Sequence, residues 1–313
     1  LKKSVTASAP GKIILTGEHF VVHGAYSIAA AINKRVKVNI SNTTDDSYIV
    51  SGSSRSKMAE NDGRFILVKT ILNQTIGKKS KNGEVAISIS SEIPAGSGLG
   101  SSAAVAVATA AAALKFADLE VDSRKIFEIA LSGERKVHGN PSGVDIETSL
   151  RGGLLLFSRN AGAKPIPLNR TVQFLIVYSG KPRNTSKMID KVGLKKKQFP
   201  HFFESLTRSA SFLSLDVVDA ITVGDLPRLG ALMNISQTTL SWIGASTSAL
   251  DRLIDDLAAQ DVFGVKLTGA GGGGSVIALP KPESIETLSQ FASKNYPWSL
   301  LKQIPQEGLR WEE

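Results

Sequence analysis

Lys12, Glu18 and His19 place an ammonium, a carboxylate and an imidazole within eight residues at the end of an apolar run. These are side-chain types that bind polar substrates and move protons, although a hairpin with exposed polar residues would read the same way. Glu134 stands out differently. In a helix expected from about Arg124 to Val137, it falls on the arc shared by Ile126, Phe127, Ile129, Ala130, Leu131, Gly133 and Val137. A carboxylate aimed at an apolar side must be paired, protonated or bound to a cation, because burying a bare charge is expensive. A structural salt bridge and a metal ligand both satisfy that demand. Asp145 follows the turn-forming run His138-Gly139-Asn140-Pro141-Ser142-Gly143, where an acid serves as a helix cap or as a working group.

Two glycine-rich stretches offer backbone in place of side chains. Ile93-Pro94-Ala95-Gly96-Ser97-Gly98-Leu99-Gly100-Ser101-Ser102-Ala103-Ala104 lies between an alternating strand pattern (Val85, Ile87, Ile89) and an Ala-rich helix expected from Ser101 to about Phe116. Three glycines allow a ligand to approach the main chain, and the free N–H groups of the helix start favour an anion. The spacing fits neither G-x-x-x-x-G-K-[ST] nor G-x-G-x-x-G, and a packing turn is the competing explanation. The second stretch, Thr268 to Gly274, packs five glycines into six residues between strands expected at Val262–Leu267 and Ser275–Leu279. Its entropic cost implies close approach by something.

The elements that must position these groups follow from pattern and punctuation. Val5–Ala9 and Ile13–Leu15 read as short paired strands broken by Gly11. Residues 42 to 62, rich in Ser, Thr, Asp and Asn, read as surface loop or weak edge strands. Asp122-Ser123 supplies an N-cap before the helix that carries Glu134. Leu154–Phe157 follows Gly152-Gly153 as a strand, another begins between Arg170 and Val177, and Lys181-Pro182-Arg183-Asn184-Thr185-Ser186 reads as a loop opening a helix. The C-terminal third is mainly helical, with Leu250, Leu253, Ile254, Leu257 and Ala258 at core spacing. A length of 313 residues favours two domains, divided here into 1–170 and 171–313.

Composition narrows the classes. Without cysteine and with four histidines, disulfides, thiolate chemistry and zinc centres are disfavoured, whereas an oxygen-ligated cation such as Mg²⁺ is not. The longest apolar run, Ala103 to Leu114, falls short of the roughly 20 residues of a membrane span, and no signal peptide is visible. A cytoplasmic protein that contacts no membrane is expected. The net charge of +9 suits nucleic acid or a polyanionic small substrate. Its clearest cluster, Lys191 with Lys195-Lys196-Lys197, lacks interleaved aromatics and reads as solvated loop, so no nucleic-acid partner is expected.

Taken together, Ala9-Pro10-Gly11-Lys12 with Gly17-Glu18-His19, then Pro94 to Ala104, then Lys266 to Gly274 resemble the three signature motifs of the GHMP small-molecule kinases. Val22-His23-Gly24 and the run from Gly133-Glu134-Arg135 to Asp145 are most similar to the mevalonate kinase branch of that family. The resemblance implies an α+β, two-domain GHMP kinase fold, whose N-terminal domain contains a left-handed β-α-β unit and whose C-terminal domain is ferredoxin-like. It further implies transfer of phosphate from ATP to the 5-hydroxyl of mevalonate. By that resemblance the triphosphate is held by Pro94, Gly96, Ser97, Gly98, Leu99, Gly100, Ser101, Ser102 and Ala103, and Mg²⁺ by Ser102 and Glu134. Asp145 accepts the hydroxyl proton beside Lys12, while Glu18, His19, Thr185, Gly269, Ala270 and Gly271 line the substrate end. A homodimer is compatible with it. The rival readings are a sister kinase such as a phosphomevalonate kinase, a basic nucleic-acid-binding protein, and a non-catalytic ligand sensor.

Overall fold

The computed structural model describes residues 3–77, 83–168, 171–183 and 185–312. Arg170, at the expected domain boundary, and Asn184, in the expected loop, lie outside the described residues.

The first sheet is built on two long antiparallel strands, β1 (Ser4–Thr16) and β2 (Ser27–Asn42). Val5–Ala9 and Ile13–Leu15 are thus one strand and not a pair, interrupted by a register shift between Pro10 and Lys12. Pro lacks the N–H that a ladder needs, and the irregularity turns this part of β1 toward other partners. The Lys12 N–H donates to the Leu99 carbonyl at 2.9 Å, and the Ser149 hydroxyl to the Pro10 carbonyl at 2.9 Å. The segment 42–62 includes a hairpin, β3 (Tyr48–Ser51) and β4 (Ser54–Lys57). After α1 (Ile66–Thr75) the chain returns as β5 (Val85–Ser91), parallel to β3 and antiparallel to β2.

Next comes α2 (Ser101–Phe116), with Ala103, Ala104 and the run from Ala106 to Leu114 buried. A helix apolar all round is a core helix, and its alanines let β1, β2, α1 and α3 (Ser123–His138) approach closely. Asp122 caps α3, accepting from the Lys125 N–H at 2.9 Å. A short helix, α4 (Val144–Arg151), begins where sequence reading had only a turn, and β6 (Leu154–Ser158) and β7 (Gly162–Pro165) close the first half against β2.

The second sheet contains β8 (Val172–Tyr178), β9 (Val262–Thr268), β10 (Ser275–Pro280) and β11 (Trp298–Ile304) in the order β11-β8-β10-β9, all antiparallel. In chain order that is 4-1-3-2, the ferredoxin-like arrangement, a mixed-helix and sheet layer in keeping with the α+β expectation. Its helices are α5 (Thr185–Gln198), α6 (Pro200–Val223), α7 (Leu226–Trp242), α8 (Ser248–Ala258) and α9 (Ile285–Asn295). The lysines expected in a solvated loop, Lys191 and Lys195–Lys197, belong to α5. Lys191, Lys196 and Lys197 are exposed, while the Lys195 ammonium lies over the Phe199 and Trp242 rings, on a helix whose inner residue Val192 is buried. Leu250, Leu253 and Leu257 are buried as their spacing requires, against Leu175, Leu240, Val265 and Leu267. Finally β12 (Arg310–Glu312) crosses back to pair with β1 in the first sheet. Among the described residues no helix is long and apolar enough to cross a membrane.

Candidate active site

The end of β1, the C-terminal end of α3, the starts of α4 and α5, and the β9–β10 turn line one cleft of about 560 Å³, and the glycine loop before α2 packs against the Lys12 stem in its wall. Lys12, Glu18, His19, Glu134, Asp145, Arg183, Thr185, Gly269 and Ala270 all line it. Residues distributed over the whole sequence therefore meet in one place between the two sheets.

Lys12 is fully buried. Its Nζ lies 3.2 Å from Asp145 Oδ1 and donates to the Gly98 carbonyl at 3.1 Å. Burial pushes the ammonium below its usual range, the Asp145 carboxylate opposes that shift, and the nearby Arg183 guanidinium adds to it. Asp145 sits in the first turn of α4, where the helix dipole favours its negative charge.

The glycine loop touches Lys12 from the other side. Gly100 has φ +78°, and a Cβ there would lie 2.8 Å from Lys12 Cγ, so only glycine admits the lysine stem. Gly100 also occupies the N-cap of α2 and offers no side-chain acceptor. The first N–H groups of α2 are left for another partner. Ser97, Gly98, Leu99, Gly100 and Ala103 are buried, Pro94, Ser101 and Ser102 half-buried, and Gly96 exposed. The second glycine turn abuts the first: a Cβ on Gly269 would lie 3.2 Å from the Gly98 carbonyl oxygen. Gly271 instead packs on Ala245, whose carbonyl oxygen a Cβ would meet at 2.1 Å.

Glu134 is 5% exposed and accepts a hydrogen bond from the Ser102 hydroxyl. His138 Nε2 stands 3.8 Å from its other oxygen. Burial pushes the carboxyl up, and the Ser102 hydrogen bond and His138 pull it down. No group of three or more His, Cys, Asp or Glu residues capable of holding a metal occurs among the described residues. Ser102 and Glu134 instead form a two-oxygen set at the mouth of the anion loop. That donor set fits a hard cation that draws its remaining ligands from phosphate oxygens and water.

Glu18 is also buried, and its carboxylate is paired with the Lys266 ammonium. Burial pushes the carboxyl up and the ammonium down, and each charge holds the other against that pull. His19 is in the left-handed region at φ +62°, and its Nε2 lies 2.8 Å from the Ala270 carbonyl oxygen. Burial pushes the imidazole below its usual range, and the Ala270 carbonyl opposes that shift.

Two cations at this site were assigned no role from sequence. Arg183 was visible only as part of a loop; its backbone N–H donates to the Gly96 carbonyl at 3.1 Å, and its side chain lines the cleft beside Gly98. Lys266 lay inside the third motif, flanked by apolar Val265 and Leu267. A lysine in an otherwise buried strand was the signal available.

The family model for the GHMP kinases N terminal domain matches residues 66–153, and that for the GHMP kinases C terminal matches residues 217–297. The chain is 31% identical to a mevalonate kinase of Aeropyrum pernix over 100% of both chains. It is 34% identical to one of Thermococcus gammatolerans, covering 99% of this chain and 98% of that protein. Among solved structures, the L. major mevalonate kinase in complex with R-mevalonate aligns with TM-score 0.81 at 26% identity over 98% of each chain. The Methanococcus jannaschii mevalonate kinase aligns with TM-score 0.79 at 27% identity over 99% of each.

Proposed function

This chain belongs to the GHMP kinase family, and on that premise we propose that it transfers the γ-phosphoryl group of ATP to the 5-hydroxyl of mevalonate, yielding 5-phosphomevalonate and ADP. The observation that carries the reading is the Lys12–Asp145 pair at 3.2 Å, set in the wall of a cleft that Glu18 also lines and backed by the glycine loop at Gly100.

Asp145 accepts the proton of the 5-hydroxyl as its oxygen bonds to the γ-phosphorus and the bond to the β-phosphate oxygen of ADP breaks. The Lys12 ammonium offsets charge that develops on the attacking oxygen. In a loose phosphoryl-transfer transition state most of the gain is positioning and charge stabilisation, so orientation of the hydroxyl by Asp145 matters at least as much as the proton. Pro94 to Ala103 and the α2 start cradle the triphosphate, with Arg183 alongside. Ser102 and Glu134 would hold Mg²⁺, which would supply neutralisation of phosphate charge. Glu18, His19, Thr185 and Ala270 contact the acceptor, and Gly269 and Gly271 keep the backing turn close. The division at residue 170 follows the same logic. Residues 1–170 supply the phosphate loop, Lys12, Glu134 and Asp145; residues 171–313 supply Arg183, Thr185 and the second glycine turn.

The test is ADP release measured over mevalonate, phosphomevalonate, galactose and homoserine. Turnover with mevalonate is expected. Turnover with phosphomevalonate and none with mevalonate would replace this assignment with that of a sister kinase.

A further inference from the structure

Lys266 projects from β9 in the second sheet and is 0% exposed. Its Nζ donates to the Glu18 carboxylate, to the Leu267 carbonyl at 2.6 Å and, more distantly, to the Ile14 carbonyl at 3.4 Å. Ile14 and Glu18 lie at the end of β1 in the first sheet, so the pair spans the seam in which the cleft is formed. A buried ion pair is a poor source of stability, since apolar residues of the same volume often serve as well or better. Folding alone gives no reason for these charges.

The arrangement of Glu18 supplies one. Its Oε1 takes the lysine, while its Oε2 is buried and without a hydrogen-bond partner among the described residues. Such an orphan acceptor is costly unless a ligand completes it. Glu18 stands between the cleft and a smaller cavity bordered by Phe20, Leu213 and Leu232. Two of the polar side chains in that cavity are already engaged, Thr239 with the Ile235 carbonyl and Asp216 with Arg228. With the cleft read as the acceptor site, a substrate donor reaches Glu18 from the cleft side. Besides the reacting 5-hydroxyl, mevalonate carries a second hydroxyl on carbon 3.

We propose that Lys266 is a positioning residue for the phosphoryl transfer: it holds Glu18 ionised and oriented so that Oε2 accepts a hydrogen bond from the 3-hydroxyl of the acceptor, which sets the 5-hydroxyl against Asp145. This rests on the reading of mevalonate as acceptor. Burial acts against an ionised Glu18, and the Lys266 charge resists it most, with a smaller pull from Lys12.

The experiment compares Lys266→Met, Lys266→Arg and the double variant Glu18→Gln/Lys266→Met with the wild type. It measures kcat and the KM values for mevalonate and ATP between about pH 6 and pH 9. Lys266→Met is expected to raise the mevalonate KM about ten- to a hundredfold, the worth of a hydrogen bond to a charged group, with the ATP KM unchanged. Its deficit shrinks as pH rises, because Glu18 without its partner ionises only at higher pH. Lys266→Arg restores part of the affinity. The double variant shows the raised mevalonate KM at every pH, since an amide cannot ionise. A merely structural lysine predicts equal damage to both KM values with no recovery at high pH, and either that result or a wild-type mevalonate KM in Lys266→Met overturns the proposal. Should Lys266→Met fail to fold, the double variant, which buries no unpaired charge, carries the test, and a wild-type mevalonate KM in it is the overturning result. Absence of wild-type turnover on mevalonate defeats the substrate assignment itself, whereas normal wild-type turnover with an unaffected Lys266→Met defeats only the role of Lys266.

Discussion

Replacing Asp145 with Asn preserves the shape of the side chain and removes its charge, which isolates what the carboxylate does for Lys12 and for the reaction. The lysine side chain is 1% exposed, and with the carboxylate's charge gone it keeps only neutral acceptors, the new amide oxygen and the Gly98 carbonyl at 3.1 Å. Breaking a buried pair from one side costs roughly 3–5 kcal/mol. Asp145 is 28% exposed, so solvent screens part of this, and a loss of about 1–3 kcal/mol is expected. Burial already holds Lys12 below its ordinary value of 10.5 and Asp145 opposes that shift, so in the variant the folded-state value falls further. The unfolded chain binds the proton below 10.5, whereas the folded variant binds it only at a lower pH. Its deficit is therefore greatest on the acid side of that window and shrinks as pH rises toward 10.5. In catalysis, loss of the proton acceptor and of the hydroxyl's orientation should lower kcat by about 10²–10⁴-fold. The triphosphate loop is untouched, so the ATP KM should stay within about threefold. ADP release at saturating substrates, together with urea unfolding near neutral pH and near pH 10, measures both effects. A kcat within about threefold of wild type, or a collapse of ATP binding in parallel with turnover, would refute the reasoning.

Gly100→Ala forces a side chain to φ +78° and sets its Cβ 2.8 Å from Lys12 Cγ, whereas Gly162→Ala has φ +68° and no atom within 4 Å. Left-handed strain alone costs about 1 kcal/mol, so thermal unfolding should show that loss for Gly162→Ala with activity kept, and a larger loss with activity abolished for Gly100→Ala. Equal behaviour of the two would dissociate the loop from Lys12. Glu134→Gln replaces a carboxyl that burial pushes up with a neutral amide. The free protein should be as stable as wild type or more so near pH 7, while the Mg²⁺ concentration for half-maximal activity rises; an unchanged magnesium titration would return Glu134 to a structural role. Glu312 is held down to about 2 by hydrogen bonds from Ser8 and Arg310. Its contribution is present above its ordinary value of 4.5 and is lost as pH falls toward 2. Glu312→Gln should therefore lower the melting temperature at pH 7 and leave it unchanged near pH 2, the reverse pattern being inconsistent with that pairing.

The parts of the site that were legible are those whose signal is local. Three glycines before an alanine-rich helix mark a turn open to close approach wherever it ends up in space, and the Asp122 cap and the apolar arc gave α3 and the inward face of Glu134, although Val137 on the same arc is exposed. What could not be read is set by long-range pairing. Nothing near Lys12 announces that Asp145 closes on it, because that depends on β1 carrying a bulge against which α4 packs. The same bulge made one strand look like two, since Pro10-Gly11 has the composition of a turn while the flanking ladder to β2 continues past it. The lysines of α5 misled for a related reason. With Val192 its fully buried apolar residue, the helix leaves little periodicity to detect, and a run of charges looks the same in a loop. Strands β11 and β12 lack a strict alternating face and owe their place to β8 and β1.

Charge placement explains why these elements meet where they do. Lys12, Lys266, Glu18 and Glu134 are buried at the seam between the sheets, and a chain selected for stability alone would do as well with apolar residues there. The seam is nearly neutral within itself: Lys12 is matched by Asp145 and Lys266 by Glu18. Arg183 remains as the cation in the cleft beside the first glycine loop, facing a Glu134 that it helps to keep ionised. On the proposed reading, a triphosphate in that loop meets the Arg183 guanidinium and the α2 start, while the adjacent Lys12 ammonium is already paired with Asp145. The greater part of its charge has to be balanced by a cation that arrives with it. The Ser102–Glu134 oxygens stand at the α2 end of that loop, and on the proposed reading a cation held there accounts for a carboxylate kept beside the helix start despite the cost of burying it.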